Sequence, residues 1–288
     1  MSSSRPQCGG PHASTPRRRH PLAAVDSPAT TAPPENTTRG CSRSRSFRLR
    51  IENVVHANTQ PPVHRCDTGH EVLAAVLRIQ DSRLHVLLWQ RAQQPALHRW
   101  SLPGGTLADT EDVEASIRRQ LAEKVDVHQL AHVEQVSVFS TPDRVPGQRI
   151  VATAFLGLVP SDLDPVIPGD TRWHPVDDLP PTAFDHDSIV DAARDRLRGK
   201  LSYTNIGFAL APEEFTVSEL RKLYTAALGY SVSATNLQRV LSRRGVLEPT
   251  GRTVSSGPTG GRPAALFRFT TRGLAVTDQF AVLRPPTA

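Results

Sequence analysis

The stretch LPGGTLADTEDVEASIRRQLAEK, residues 102–124, is the most informative part of this 288-residue chain. Its adjacent glycines, Gly104 and Gly105, permit a tight turn with positive φ. Glu111 and Arg119 follow at a spacing that lets the carboxylate pair with the guanidinium. Such a pair would fix the loop after the glycines to the next helix.

A helix is predicted over residues 113–124, because Val113, Ile117 and Leu121 recur every four residues and form one apolar face. Together with the turn and the Glu–Arg pair, this helix resembles the Nudix box. That family's pattern is a Gly, a Glu, then Arg-Glu, an aliphatic residue, any residue, Glu-Glu, any residue and Gly. Nudix enzymes use such a loop–helix–loop to hydrolyse nucleoside diphosphates linked to another group. The resemblance implies an α+β protein built on a Nudix α/β/α sandwich.

The segments around this stretch alternate strand and helix patterns, which predicts a mixed sheet with helices packed on it. A hairpin is expected because two β-branched and leucine-rich runs flank a short polar turn at residues 80–82. The predicted strands are residues 70–79, 84–91, 133–139 and 149–159. An amphipathic helix is predicted over residues 185–197, followed by a domain boundary at Gly199 and Lys200.

The catalytic part of the Nudix pattern is altered. The family places three carboxylates at positions that here hold Gln120, Glu123 and Lys124, so the formal charge of the three changes from −3 to 0. Mg²⁺ requires carboxylate oxygens and dehydrates reluctantly. We therefore expect no catalytic residue, no metal site, no cofactor and no enzymatic activity. Asp126 also replaces the closing glycine of the pattern.

One alternative remains open, and ligand binding is expected even without catalysis. An active hydrolase, similar to an ADP-ribose pyrophosphatase, would need carboxylates from elsewhere; Glu114, Glu134 and Asp143 are candidates, although an exposed surface position is favoured for each. Ligand binding without catalysis would involve Glu111, Arg119, Glu123 and Lys124. The ammonium of Lys124 would then pair with a pyrophosphate where metal charge is missing. An ordinary solvent-exposed lysine is equally compatible with that position.

The charges divide the chain into three parts. Residues 1–65 hold ten Lys/Arg and three Asp/Glu, residues 66–198 hold thirteen and twenty, and residues 199–288 hold eleven and five. Basic ends around an acidic middle indicate that the ends contact a polyanion. The predicted division is a disordered basic tail (1–65), a Nudix-like effector domain (66–199) and a winged helix-turn-helix domain (200–288).

The tail is rich in proline, serine and arginine and has no periodic apolar face. A dispensable tail or an over-extended translation start is the favoured interpretation; a transit peptide is the alternative. All three cysteines (Cys8, Cys41 and Cys66) lie in the first quarter of the chain, which excludes a disulfide framework or a cysteine-ligated zinc site in the folded part. The longest apolar run, residues 151–159, is too short to span a membrane. We expect a cytoplasmic protein.

The C-terminal part has the element order of a winged helix. Thr216 and Glu219 form a capping-box pattern at the start of a helix that should end at Gly229. A second helix is predicted over residues 233–243 after a short turn, which is the helix-turn-helix signature. Two short strands at residues 246–248 and 265–269, joined by a Gly/Pro/Arg-rich loop, complete the pattern.

The second of these helices has a polar face with no acidic residue between Ser233 and Leu247. Such a face suits a recognition helix in the major groove of double-stranded DNA, because Arg and Asn form bidentate pairs with bases while nearby cations neutralise phosphates. An RNA-binding adaptor that uses the tail is the alternative. The predicted DNA-binding residues are Thr235, Asn236, Arg239, Arg243, Arg244, Arg252 and Arg262.

The two modules in this order resemble the Nudix-related transcriptional regulators of NAD metabolism, the NrtR family. The matching stretches include residues 102–105, 134–135, 143–144, 215–220 and 261–264. The resemblance implies a homodimeric repressor of NAD biosynthesis or salvage genes that senses ADP-ribose or a related nucleotide. A twofold dimer would recognise a pseudo-palindromic operator.

Overall fold

The computed structural model describes residues 68–125, 127, 130–255 and 263–278. The basic tail (1–65), all three cysteines, Asp126 and Arg262 lie outside the described residues. No helix within the described ranges is long and apolar enough to cross a membrane.

A mixed sheet forms the centre of the first part of the chain, as the sequence predicts. Its central strand β1 runs parallel to β6 and antiparallel to β2 and β4, while β5 pairs with β6, and both β3 and β7 pair with β2. The strands are β1 (Gly69–Gln80), β2 (Arg83–Gln90), β3 (Trp100–Ser101), β4 (Gly104–Thr106), β5 (His132–Phe139), β6 (Ile150–Leu158) and β7 (Thr171–Pro175). Asp81 and Ser82 both have positive φ, so the β1–β2 hairpin turns within two residues.

Helices cover both faces of this sheet and confirm the sandwich. Successive side chains of a strand point to opposite faces, so Val72 and Val76 of β1 pack in one cluster while Leu73 and Leu77 pack in the other. Helix α1 (Val113–Val125) covers the first face with its predicted apolar stripe. Helix α2 (His186–Tyr203) covers the second face.

Helix α2 is longer than the predicted helix of residues 185–197. It continues through Gly199 to Tyr203 because Leu201, one turn after Leu197, is buried in the same core. The boundary between residues 199 and 200 therefore lies inside a helix. Before Pro212, the chain forms a single 3₁₀ turn, Ile206–Ala209. The chain from Gln60 onward forms one compact unit, so the division into two domains stays a prediction.

The C-terminal part is a winged helix, and its local signals are confirmed. In α3 (Val217–Leu228), the Thr216 side chain accepts from the Glu219 N–H and the Glu219 carboxylate accepts from the Thr216 N–H. Gly229 ends the helix with φ 79°. Helix α4 (Ala234–Arg243) follows, and β8 (Phe215–Thr216), β10 (Ala264–Phe269) and β9 (Leu247–Val254) form a three-stranded sheet. Strand β9 is longer than predicted and includes Arg252, which was expected in a loop.

Candidate ligand cleft and nucleic-acid interface

The turn at Gly104 and Gly105 lies directly against β1 and the C-terminal half of α1. A Cβ on Gly104, whose φ is 153°, would lie 2.0 Å from the carbonyl oxygen of Val72. A Cβ on Gly105 would lie 2.7 Å from Oε1 of Gln120 and 2.8 Å from Nζ of Lys124. Only glycine fits at position 104, where the close atoms are backbone, whereas a side chain at position 105 would displace the ends of Gln120 and Lys124. The close approach brings the turn within reach of α1.

Glu111 and Arg119 form the ion pair that the sequence predicts. Arg119 Nη2 donates to Glu111 Oε1 at 2.6 Å and Nε donates to Oε2 at 3.0 Å, while the Ala108 N–H also donates to Oε1 at 2.9 Å. The hydrogen bonds from Arg119, followed by that from Ala108, lower the pKa of Glu111 to about 2. Arg119 Nη1 also bonds to Glu123 at 3.0 Å. Three of the four predicted ligand-binding residues are thus connected to each other.

Lys124, the fourth predicted ligand-binding residue, points its ammonium at the glycine turn. Its Nζ donates to the carbonyl oxygen of Gly104 at 2.5 Å. Desolvation, followed by the charges of Arg119 and Arg91, lowers the pKa of this ammonium. The amino group of Lys124 therefore lies against the backbone of the glycine turn, beside the amide of Gln120.

The residues at this site do not fit the divalent metal that the Nudix fold implies. Gln120 is buried and donates from Nε2 to the carbonyl oxygen of Thr106 at 3.3 Å, and its Oε1 has no hydrogen-bond partner in the structure. Glu123 is the one carboxylate among positions 120, 123 and 124, and the ammonium beside it repels a cation. Within the described ranges, no group of three or more His, Cys, Asp or Glu side chains is arranged to hold a metal.

Of the three other acids named for catalysis, Glu114 and Glu134 are held in ion pairs and Asp143 lines a cavity beside Arg144. Glu114 pairs with Arg118 on the surface of α1 at 2.9 Å, and Asp143 is exposed. Glu134 accepts from Lys200 at 2.8 Å and lies 3.2 Å from His132 Nε2. Burial raises the pKa of Glu134, but the hydrogen bonds from His132 and then Lys200 outweigh it and lower the pKa overall.

Arg144 is a residue of this region to which the sequence assigned no role. Its side chain is 0% exposed and bonds to Glu71 at the start of β1 and, through Nε and Nη2, to Asp185 before α2. Burial lowers the pKa of Arg144, but these two carboxylates outweigh that effect and raise it. A cavity of about 730 Å³ opens beside Arg144 and is also lined by Phe184. The dipeptide 143–144 belongs to the stretches that resemble the NrtR family, and this resemblance is the sequence signal that points to Arg144.

The exposed face of α4 contains four of the predicted DNA-binding residues. Leu237 and Leu241 are buried and fix the helix orientation. The exposed residues are Thr235, Asn236, Arg239 and Arg243. Arg239 Nη2 donates to Asn236 Oδ1 at 2.7 Å, which holds the two side chains best suited to base contacts side by side.

The remaining predicted DNA-binding residues have other partners or lie outside the described residues. Arg244 is half-buried and donates to Asp278 at 2.8 Å. Arg252 is exposed on β9 and pairs with Glu214 at 2.8 Å. Arg262 falls in the undescribed stretch between β9 and β10. The face of α4 is therefore the main candidate surface, and β9 is next to it in the winged helix.

Two family models match the chain. Residues 69–193 match the NUDIX domain, and residues 207–269 match the NrtR DNA-binding winged helix domain. Among curated proteins, the chain is 29% identical over 205 residues to the "ADPR responsive transcriptional repressor NtrR" of Acinetobacter baylyi, covering 68% of this chain and 79% of that protein.

Solved structures of Shewanella oneidensis NrtR are also similar. The protein crystallised without DNA is 31% identical, with a TM-score of 0.62 over 70% of this chain and 94% of that one. The complex with a 27mer DNA is 30% identical, with a TM-score of 0.60 over 69% of this chain and 93% of that one. The similarity extends through both the sandwich and the winged helix.

Proposed function

We propose that this chain, which belongs to the NrtR family, is a DNA-binding transcriptional repressor of NAD biosynthesis or salvage genes. Its Nudix domain would bind ADP-ribose or a related nucleotide. The Acinetobacter relative is named as a repressor responsive to ADP-ribose, and the Shewanella relative was crystallised with a 27mer DNA. The observation that carries the DNA-binding part is the exposed, acid-free face of α4.

The recognition helix would enter the major groove with this face. Asn236 and Arg239, already in contact with each other, would read base edges, and Arg243 would neutralise a phosphate. We also propose a homodimer, because two such helices related by a twofold axis would match half-sites about 34 Å apart, or a multiple of that, on a pseudo-palindromic operator.

The sensing function would use the cleft between the glycine turn and α1. The pair of Glu111 and Arg119 would hold the loop in place, Glu123 would keep Arg119 oriented, and Lys124 would contact the ligand. A pyrophosphate requires positive charge, and the ammonium of Lys124 supplies it where a Nudix enzyme holds metal. Binding would alter DNA affinity only through a difference in ligand affinity between the two arrangements of the dimer.

Hydrolysis is not part of the proposed function. The replacement of family carboxylates by Gln120 and Lys124 supports this, because the site offers a hydrogen-bonded amide and an ammonium where a metal would need anionic oxygens. No residue of the chain is assigned a catalytic role.

The test is a gel-shift titration with the full chain on a palindrome upstream of NAD genes, with and without ADP-ribose. We expect salt-sensitive, sequence-dependent binding whose affinity changes when ADP-ribose is added. A turnover assay with ADP-ribose and Mg²⁺ runs in parallel. Rapid Mg²⁺-dependent hydrolysis together with no affinity for duplex DNA would overturn the proposal in favour of a hydrolase.

A further inference from the structure

A second cavity, of about 430 Å³, lies between the sandwich and the winged helix. It is lined by Arg83 at the start of β2, by Arg194 and Arg198 on α2, and by Gly229 and Tyr230 in the α3–α4 turn. We propose that this junction cavity binds a small molecule that carries a phosphate group and a planar ring, the chemical class of a nucleoside monophosphate.

Arg194 and Arg198 can supply the phosphate contacts, while Arg83 is paired at 2.7 Å with Asp177, a carboxylate that also lines the cavity. Guanidinium groups bind phosphates through two parallel hydrogen bonds, which makes arginine well suited to this ligand. Arg194 is paired with Asp191 at 2.7 Å and with Asp195 at 3.2 Å, both on its own helix, and both carboxylates are more than half exposed. Exposed pairs of this kind are weak. A phosphate can therefore compete for the Arg194 guanidinium.

The geometry of the turn holds Arg198 at the cavity. Its Nε donates to the carbonyl oxygen of Ala227 at 3.3 Å. A Cβ on Gly229 would lie 2.6 Å from Arg198 Nη2, and the φ of Gly229 is 79°. The absence of a side chain at this position lets the guanidinium of α2 lie against the winged-helix turn, so a cation of the sandwich meets the backbone of the winged helix at the cavity.

Tyr230 supplies a surface for the ring. It is 63% exposed, the second most exposed of the large hydrophobic residues in the described part of the chain. Tyrosine offers both an apolar face for stacking and a hydroxyl for hydrogen bonding. The cavity volume falls in the range of small-molecule sites, and an aromatic side chain beside convergent cations is the composition that such a ligand requires.

This cavity is separate from the proposed ADP-ribose site at Lys124. Lys124 lies on α1, which covers one face of the sheet, whereas the junction cavity lies beside α2, which covers the opposite face. The lining residue Ser231 is two positions before Ser233, the N-cap of α4. A ligand here would contact the segment that positions the recognition helix, so it would bias that helix if it binds one orientation better than another.

The test is calorimetric titration of the full chain with AMP and, separately, with inorganic phosphate. To remove the first site, the Lys124→Ala variant is titrated beside the unaltered protein. We expect AMP to bind both with the same affinity, to bind Arg194→Gln at least about tenfold more weakly, and to bind Tyr230→Ala several-fold more weakly. Arg196→Gln is the matched control, because Arg196 lies on the same helix but donates to the carbonyl oxygen of Val136 outside the cavity.

Three results would overturn the inference. The first is the absence of AMP binding at millimolar concentration. The second is AMP binding that is lost in Lys124→Ala but kept in Arg194→Gln, which would place AMP at Lys124. Equal AMP affinity in Tyr230→Ala and the unaltered protein would overturn the assignment of a ring-bearing ligand. Circular dichroism checks that each variant folds. Because Tyr230 is exposed, Tyr230→Ala should fold and keeps the test valid even if Arg194→Gln fails to fold. None of these readouts involves ADP-ribose or DNA, so failure here is distinguishable from failure of the proposed function.

Discussion

Arg119 holds Glu111 across the loop between β4 and α1, with Nη2 2.6 Å from Oε1 and Nε 3.0 Å from Oε2. The pair joins residues eight positions apart and leaves both Glu111 oxygens occupied by donors. In this chain it therefore works as a structural connection, while two of the three family carboxylate positions on α1 hold Gln120 and Lys124.

Glu111→Gln should lower the urea unfolding midpoint at pH 7, and the difference from the unaltered protein should narrow at pH 3. The pKa of Glu111 is about 2 in the folded chain against an ordinary 4.5. The stabilisation is therefore complete above pH 4.5 and is lost as the pH falls toward 2. Glu114→Gln, which breaks the exposed pair with Arg118 on the same helix, is the control and should change the midpoint less. A constant Glu111→Gln difference at both pH values would contradict this account.

Lys124→Ala should weaken ADP-ribose binding about tenfold or more, equivalent to about 1.4 kcal/mol. The reason is that its ammonium, held at the Gly104 carbonyl oxygen, supplies the charge for the pyrophosphate. EDTA should leave the affinity of the unaltered protein unchanged. Desolvation lowers the pKa of Lys124, so its ammonium loses its proton at a lower pH than an ordinary lysine does. As the pH is raised, the affinity for ADP-ribose should therefore begin to fall earlier than it would for an ordinary lysine.

Arg118→Ala is the matched control for that titration, since Arg118 lies on the exposed side of α1 and pairs with Glu114. Calorimetry at neutral pH should show unchanged affinity for this variant. If Lys124→Ala binds as tightly as the unaltered protein, or if EDTA abolishes binding, the ammonium is not the replacement for the metal charge.

Arg239→Ala should cost about 1–3 kcal/mol on the operator if the guanidinium reads a base. Arg243→Ala should instead weaken binding to all duplexes alike and reduce the salt slope by about one. Fluorescence anisotropy on operator and random duplexes over a series of salt concentrations measures both effects. An exposed arginine of the sandwich that bonds to the Ser140 carbonyl oxygen, Arg149, provides the control. If Arg239→Ala weakens binding to random DNA as much as binding to the operator, Arg239 contacts the DNA backbone and not a base.

The features that the sequence predicted well are those set by neighbouring residues. The capping box of Thr216 and Glu219 and the left-handed Gly229 depend on a single turn of chain. The Glu111–Arg119 pair spans one loop and two helical turns. Each was predictable because its partners lie within ten positions, so spacing alone restricts the geometry.

The features that the sequence missed depend on distant partners. Arg144 bonds to groups 73 and 41 positions away, and no local pattern indicates such contacts. Gly199 suggested a helix end, but packing of Leu201 into the shared core extends α2 past it. Strand β7 (Thr171–Pro175) has one buried and one exposed residue followed by three partly exposed ones, so it lacks the sustained alternation that identifies a strand.

His186 should make the fold sensitive to mild acid. It is buried at the start of α2, and its Nδ1 accepts from the Leu102 N–H at 2.9 Å, which requires the neutral ring. Desolvation lowers its pKa to about 3 from an ordinary 6.5. The unfolded chain therefore takes up a proton first as the pH falls, so stability is complete above pH 6.5 and declines by up to about 1.4 kcal/mol per pH unit below it.

His186→Asn keeps an acceptor near the Leu102 N–H without a titrating group. Urea unfolding is measured at pH 7.5, 6 and 5. Other groups with lowered pKa values, such as His174, contribute equally to both proteins, so the difference in slope between them reports His186. The variant should show a shallower decline over this range, and parallel curves for the two proteins would show that His186 is not the group responsible.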